Sequence, residues 1–154
     1  MLGNVARDLR LLGYDTLLAG SHWSDAQVLR TSQSEGRVLL TRDRRLAGRA
    51  KGIDCVLIAG TDPATQAVEA LRRLGSGAVP ARPLTRCLEC NGSLRALPPE
   101  EAAARVPDHV ALAHRRFSSC PRCHRVYWAG DHARRLERRI RALLEALQEP
   151  NAPV

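Results

Sequence analysis

The chain has 154 residues, enough for one medium domain or one domain with a small appendage, and enough to bury a core without depending on disulfides. It carries 24 basic against 16 acidic residues, a net charge of +8, with a sequence pI near 10.2. No apolar run has the length of a bilayer span, and Arg7, Asp8, Arg10 and Asp15 interrupt any signal-peptide core, so the expectation is a cytoplasmic protein without a membrane partner.

Lys51 is the one lysine, and every other basic residue is arginine. Guanidinium groups pair bidentately with phosphate oxygens, which favours a phosphate-bearing partner; a GC-rich genome produces the same bias, and composition does not separate the two. The basic excess is equal in the two halves of the chain, so it is not an appended tail.

In chain order, MLGNVARDLRLLGYD predicts an amphipathic helix with Leu2, Val5, Leu9 and Leu12 on one face and Gly13 as its stop. DTLLA, Asp15 to Ala19, predicts a short buried strand. SDAQVLRTSQSEG predicts a helix opened by a Ser24/Gln27 capping box and ended by Gly36. RVLLTRD predicts a second strand, RRLAGRA a short helix interrupted at Gly48, and IDCVLIAG a third strand. TDPATQAVEALRRLG predicts a helix with Asp62 at the N-cap, Pro63 in its first turn and Gly75 after it. Its apolar face is Ala64, Ala67, Val68, Leu71 and Leu74. Strands alternating with helices imply a parallel sheet with right-handed crossovers. The pattern stops at SGAVPARP, which puts a boundary near residue 80, and only the NAPV tail reads as low complexity.

Beyond the boundary stand two cysteine pairs, CLEC (Cys87, Cys90) and CPRC (Cys120, Cys123), and then a helix from about Asp131 to Leu147. That helix has an apolar stripe of Ala133, Leu136, Ile140, Leu143, Leu144 and Leu147. Two residues between ligands let a tight knuckle aim both thiolates at one tetrahedral metal, and two knuckles complete a four-sulfur structural site. The 29 residues between the pairs leave room for an inserted helix at PEEAAARV. Two disulfides or a redox pair are the alternatives, the disulfides disfavoured in a cytoplasmic chain. Cys55, inside an apolar strand, reads as a core thiol, and His124 stands beside a set that is sufficient without it.

Asp25, Asp43 and Asp62 fall at or just beyond the carboxyl ends of the expected strands, the edge where open parallel sheets bind ligands. Two of them, Asp25 and Asp43, can share Mg²⁺ or Mn²⁺, hard cations that prefer oxygen, or each can simply cap a helix. Asp62, before Pro63, reads as a cap. His22, His109, His114 and His132 sit in polar context and read as surface residues.

LGNVARDLRLLGYDTL, EGRVLLTRDRRLA, RCLECNGSL, VPDHV and CPRCHRVYWAGDHARRL, in that order from Leu2 to about Leu144, resemble the Mut-seven C-terminal RNase domain family. The resemblance implies an α/β fold: a PIN-like (Rossmann-like) parallel sheet with flanking helices, followed by a four-cysteine zinc ribbon and a C-terminal helix. It places the nuclease domain in residues 1–80, the ribbon in 81–130 and the docking helix in 131–148. The implied activity is a Mg²⁺- or Mn²⁺-dependent ribonuclease acting on RNA. Asp43 corresponds to the LTRD aspartate, Asp25 to the acidic residue opening the second helix, and Cys87, Cys90, Cys120 and Cys123 to the zinc ligands. Arg7, Arg42 and Arg44 are the arginines nearest that edge and are expected to hold RNA phosphates.

Family members carry a short apolar strand and a metal-binding aspartate just before the segment at which this chain starts. The expectation is therefore a sheet short of its central strand and a site short of one carboxylate, with weak cleavage as written. A sheet short of a strand also leaves room for pairing across a homodimer. Two readings without catalysis stand beside the nuclease: an RNA- or ribonucleoprotein-binding zinc-ribbon module, and an inactive PIN-like interaction domain.

Overall fold

The computed structural model describes residues 2–75 and 82–149. The boundary expected near residue 80 and the NAPV tail fall outside the described residues. The chain divides into two compact units, one of Met1–Ala6, Leu17–Val79 and Ala146–Val154, the other of Arg7–Thr16 and Pro80–Glu145. Among the described residues no helix is long and apolar enough to cross a membrane.

In the first unit, α2 (Asp25–Ser34) starts at the expected capping box: the Ser24 hydroxyl accepts from the Gln27 amide and the Gln27 side chain accepts from the Ser24 amide. It closes with a Schellman motif around Gly36 (φ 59°), in which the amides of Gly36 and Arg37 return to the carbonyls of Gln33 and Ser32. β1 (Leu39–Thr41), α3 (Arg44–Arg49) and β2 (Cys55–Leu57) form a βαβ unit, with Leu39 opposite Cys55 and Thr41 opposite Leu57 in parallel register. Leu39, Leu46 and Ala50 form the core of this unit, with Val28, Leu29, Ile53 and Cys55 packed against it. The Cys55 thiol, half-buried there, is pushed up in pKa by burial, as suits a core thiol.

α4 (Pro63–Leu74) has Asp62 at its N-cap, Pro63 in the first turn and Gly75 (φ 70°) after its last residue, all as expected. Glu69 turns back from α4 and takes the amides of Ala59 (3.0 Å) and Gly60 (2.9 Å), while buried Gln66 donates to the Gly60 carbonyl at 2.9 Å. These bonds strap the turn after β2 to the helix that follows it. Near the end of the chain, Arg72 donates to the carbonyls of Ala146 and Glu149, both at 2.9 Å.

In the second unit, α1 (Gly3–Leu11, which enters this unit at Arg7) ends in another Schellman motif. The amides of Gly13 (φ 94°) and Tyr14 bond the carbonyls of Arg10 and Leu9. β3 (Arg95–Leu97), β4 (Phe117–Ser119) and β5 (Val126–Trp128) make an antiparallel sheet. Leu97, Phe117 and Trp128 lie in register on one face. The insert between the cysteine pairs forms two short helices, α5 (Pro99–Ala103), where a helix was expected, and α6 (Asp108–Ala113). Ala102 and Val110 from these helices pack with Leu97 and Phe117 as the core, with Val106, Val126 and Trp128 against them. α7 (Asp131–Gln148) buries Leu143, and its Arg139 makes a two-point pair with Asp8 of α1, Nε standing 3.1 Å from Oδ1.

The segment expected as the first strand differs. Asp15–Ala19 joins no sheet among the described residues. The Thr16 amide and the Asp15 carboxylate are bound by Asn91, at 3.0 and 2.8 Å, and the Thr16 carbonyl accepts from Arg10 at 2.9 Å. Leu17 and Leu18 are 40% and 47% exposed. Two side chains, Asn91 from 75 residues on and Arg10 from six residues back, have taken the Thr16 backbone groups a ladder would use.

Candidate metal centre and carboxylate edge

The two cysteine knuckles are built alike. In the first, the Cys87 amide donates to the Gly92 carbonyl (2.8 Å) and the Cys87 carbonyl accepts from the Asn91 amide (2.9 Å); in the second, Cys120 does the same with Arg125 (2.9 Å) and His124 (2.8 Å). The turn closes because the residue after each CxxC takes a left-handed conformation, Asn91 at φ 67° and His124 at φ 60°. Asn tolerates that region through its short polar side chain, whereas His enters it at greater cost. His124 thereby serves as a backbone corner; its side chain is not among the gathered ligands.

Together the knuckles bring the Sγ atoms of Cys87, Cys90, Cys120 and Cys123 within 4.8 Å of one another. Cys87 faces Cys123 at 3.5 Å and Cys90 faces Cys120 at 3.4 Å, far beyond the disulfide bond length of about 2.05 Å. Tetrahedral zinc with sulfurs at about 2.3 Å needs sulfur–sulfur separations of about 3.8 Å, so the donor set fits in element, number and spacing. Four soft thiolates can hold such an ion and leave no coordination position open for chemistry.

Cys87 and Cys120 are fully buried, Cys90 is half-buried and Cys123 is exposed. The sulfurs differ in charge as well. Burial works against the Cys87 thiolate, but the Tyr127 hydroxyl at 3.1 Å, the amides of Cys90 and Glu89 and the Cys123 thiol outweigh it and bring Cys87 down to about 6. Cys90 is pushed up to about 12 by burial and by its neighbouring thiols. Tyr127, itself pushed up by burial and by Cys87, also accepts from the Leu88 amide at 3.3 Å and so braces the knuckle. Gly92 lies directly against the sulfurs: a Cβ there would stand 2.9 Å from the Cys120 Sγ.

Arg10 supports the same knuckle from α1. Only 6% exposed, it donates to the carbonyls of Leu88 (3.1 Å) and Glu89 (2.9 Å), the two residues between the first cysteines. Burial lowers its pKa, and the sulfurs of Cys87 and Cys90 with the carboxylates of Glu89 and Asp15 oppose that loss. Sequence reasoning missed Arg10, Asn91, Gly92 and Tyr127. Asn directly after a CxxC pair is a readable signal for a left-handed corner; Arg10 carries no local signal.

In the other unit, Asp43 and Asp62 both follow β-strands at the carboxyl edge of the parallel pair, and both cap helices. The Asp43 Oδ1 accepts from the amides of Arg45 (2.7 Å) and Leu46 (3.1 Å). Asp62 accepts from the amides of Ala64 and Thr65, both at 3.0 Å. Its pKa is lowered first by the Thr65 hydroxyl and then by the Thr65 amide. Asp25, in the first turn of α2, pairs with Arg49 at 2.8 Å. Arg49 ends α3, while Asp43 caps its start, so the two expected metal carboxylates engage opposite ends of a helix about 9 Å long. Arg42 and Arg44 flank Asp43 and are exposed. Arg7 lies in the unit that holds the cysteines, 4.0 Å from Glu89. His22, His109 and His132, like His124, are exposed, and His114 is half-buried. Among the described residues, the four cysteines are the one set of three or more His, Cys, Asp or Glu ligands gathered this closely.

No curated protein and no solved structure matches the chain. A family model does: that of the Mut7-C RNAse domain, over residues 1–140. The match runs through the capped edge carboxylates and both cysteine knuckles, and by it the chain belongs to the Mut7-C RNAse domain family.

Proposed function

We propose that the chain is a metal-dependent ribonuclease that hydrolyses RNA phosphodiester bonds. The observation that carries this reading is the family match over residues 1–140, joined to Asp43 at the carboxyl edge of the βαβ unit between two exposed arginines. Asp43 would hold Mg²⁺ or Mn²⁺, joined by Asp25 once its carboxylate leaves Arg49. Bound there, such an ion lowers the pKa of an attacking water and neutralises charge developing on phosphate. The Asp43 Oδ1 is committed to the first turn of α3, which leaves Oδ2 to face a cation. Arg42 and Arg44, on either side of it, would pair with phosphate oxygens and position the strand; Arg7, in the unit that holds the cysteines, is a further proposed phosphate contact.

The four cysteines form a separate structural zinc site that holds the ribbon and takes no part in cleavage. In chain order the proposed nuclease domain spans residues 1–80, of which Arg7–Thr16 folds in the compact unit of the ribbon, and the ribbon (81–130) and C-terminal helix (131–148) follow. Reduced thiols arranged for a metal suit a cytoplasmic protein.

The test is cleavage of single-stranded RNA with and without Mg²⁺ or Mn²⁺, in the protein and in Asp43→Asn. Asn caps helices as well as Asp does, so this change removes the charge and keeps the fold. Metal-dependent cleavage that Asp43→Asn abolishes supports the reading; undiminished cleavage in the variant refutes the assignment of Asp43. One observation favours a second reading, RNA binding without hydrolysis: Asp25 is occupied by Arg49. RNA binding by both proteins with cleavage by neither would establish it.

A further inference from the structure

We infer that metal binding at the four cysteines and docking of the segment Arg7–Thr16 are one coupled equilibrium, transmitted by Asn91 and Arg10. The inference rests on the zinc reading above and concerns what that site does for the rest of its unit. Two independent sets of contacts run from the first knuckle to this segment.

The first set is centred on Asn91. Its amide closes the knuckle on the Cys87 carbonyl, and its left-handed backbone (φ 67°) directs its side chain out of the turn. That side chain accepts from the Thr16 amide at 3.0 Å and donates to the Asp15 carboxylate at 2.8 Å. Arg86 completes the clasp, with one Nη donating to the Asn91 carbonyl at 3.0 Å and the other 3.2 Å from Asp15. Asn91 holds this backbone conformation because Cys87 and Cys90 converge. When they separate, the side chain loses its aim.

The second set is Arg10. Its buried guanidinium has acceptors at Leu88, Glu89 and Thr16, and two of the three are carbonyls of the knuckle itself. A buried cation stripped of its acceptors is strongly unfavourable, so a loosened knuckle expels Arg10 and the α1 turn that carries it. Four thiolates around one divalent ion also keep a net negative charge, which favours a cation at this position. The second knuckle offers a contrast within the same molecule. Its corner, His124, has the same backbone form, but its carbonyl is held by Arg105 of the insert at 2.6 Å. The bonds of Asn91 and Arg10 to the segment start at the first knuckle, and the coupling runs through it.

Coupling is reciprocal, so a change that undocks the segment must weaken metal binding by the same factor. The experiment uses the full chain under reducing conditions with Zn²⁺ and Co²⁺, whose thiolate charge-transfer band reports a tetrahedral sulfur set. Asn91→Gly keeps the left-handed backbone, since glycine adopts it freely, and removes only the clasp. Arg10→Gln is the second variant. Expected are an unchanged Co²⁺ spectrum, metal affinity about tenfold weaker in chelator competition, and faster hydrogen exchange at Gly13 and Tyr14. Stripping metal from the unaltered protein should raise exchange at those same two amides, which bond within α1 and touch no cysteine. Metal bound by Asn91→Gly and Arg10→Gln as tightly as by the parent, or exchange at Gly13 and Tyr14 indifferent to metal, overturns the coupling while leaving the zinc reading intact. A chain that binds no metal overturns both.

Discussion

Gly92→Ala is the sharpest test of the sulfur geometry. The glycine follows the corner residue Asn91, and its carbonyl accepts the Cys87 amide at 2.8 Å. Its φ is not in the left-handed region, so alanine brings no backbone strain and the whole effect is contact. The new methyl would stand 2.9 Å from the Cys120 Sγ, 3.4 Å from the Arg122 Cβ and 3.5 Å from the Cys90 Sγ. Non-bonded heavy atoms rest about 3.5–4.0 Å apart, so the closest overlap is roughly 0.6 Å or more. Cys120 is fully buried and has little room to retreat. Metal–ligand distances tolerate about 0.2 Å, so the sulfur must move by several times what its bond allows. Overpacking of this kind costs about 1–3 kcal/mol. Borne by the metal site, that is roughly a 5- to 150-fold loss of zinc affinity. Competition with a chromophoric chelator measures it, and the Co²⁺ spectrum shows whether the tetrahedral set is distorted. Parent-like affinity and spectrum in Gly92→Ala would refute the placement of the sulfurs against residue 92.

Gly48 provides the opposite case: it lies inside α3 with nothing within 4 Å of its missing Cβ, so Gly48→Ala should stabilise the protein by about 0.5–1 kcal/mol, and a lower melting temperature would contradict the open environment. Glu69→Ala strands the amides of Ala59 and Gly60 and should cost about 2–3 kcal/mol, with Glu69→Gln retaining part of it; urea midpoints that do not differ between the two variants would show that water replaces the carboxylate. Zinc affinity should fall with decreasing pH, because protons compete for the sulfurs and Cys90, near 12, must release one to bind. For Cys87 the folded value, about 6, lies below that of an ordinary thiol, so the stability it contributes to the metal-free chain is complete above the ordinary thiol range and lost as pH falls through 6. Chelator competition between pH 6 and 8 checks the zinc dependence, and a flat profile would refute thiolate ligation.

The parts legible in the sequence were those fixed by near neighbours. The Ser24/Gln27 box, the Asp62–Pro63 start and the Gly13 and Gly36 stops are each decided within five residues, and all appear as read. The apolar runs that form β1 and β2 were equally plain, as was the cysteine set, because CxxC spacing is itself a geometric statement. Asp15–Ala19 misled because strand propensity describes a segment and not its partner: the group that takes the Thr16 amide lies 75 residues away. β3, β4 and β5 lie in no long apolar run of the kind that marks β1 and β2: Arg95 opens the first, and two of the three residues of β4 are serines. The apolar spacing of Leu2, Val5, Leu9 and Leu12 says nothing of Arg10, yet Asp8 through Leu12 are all buried, with the charges matched by Arg139 and by the knuckle carbonyls.

The uneven exposure of the four sulfurs separates how tightly a metal would be held there from how long it would stay. Cys87 and Cys120 are sealed, whereas Cys123 meets solvent. A chelator, a competing thiol or an oxidant must displace one ligand before the rest, and Cys123 is the one within reach. Residence time would then be governed at the CPRC knuckle, by the exposure of Cys123, and affinity at the CLEC knuckle by Arg10, Asn91 and Tyr127. Substitutions around Cys123 should change the rate of metal exchange with little change in the equilibrium, so this centre can be firm without being inert.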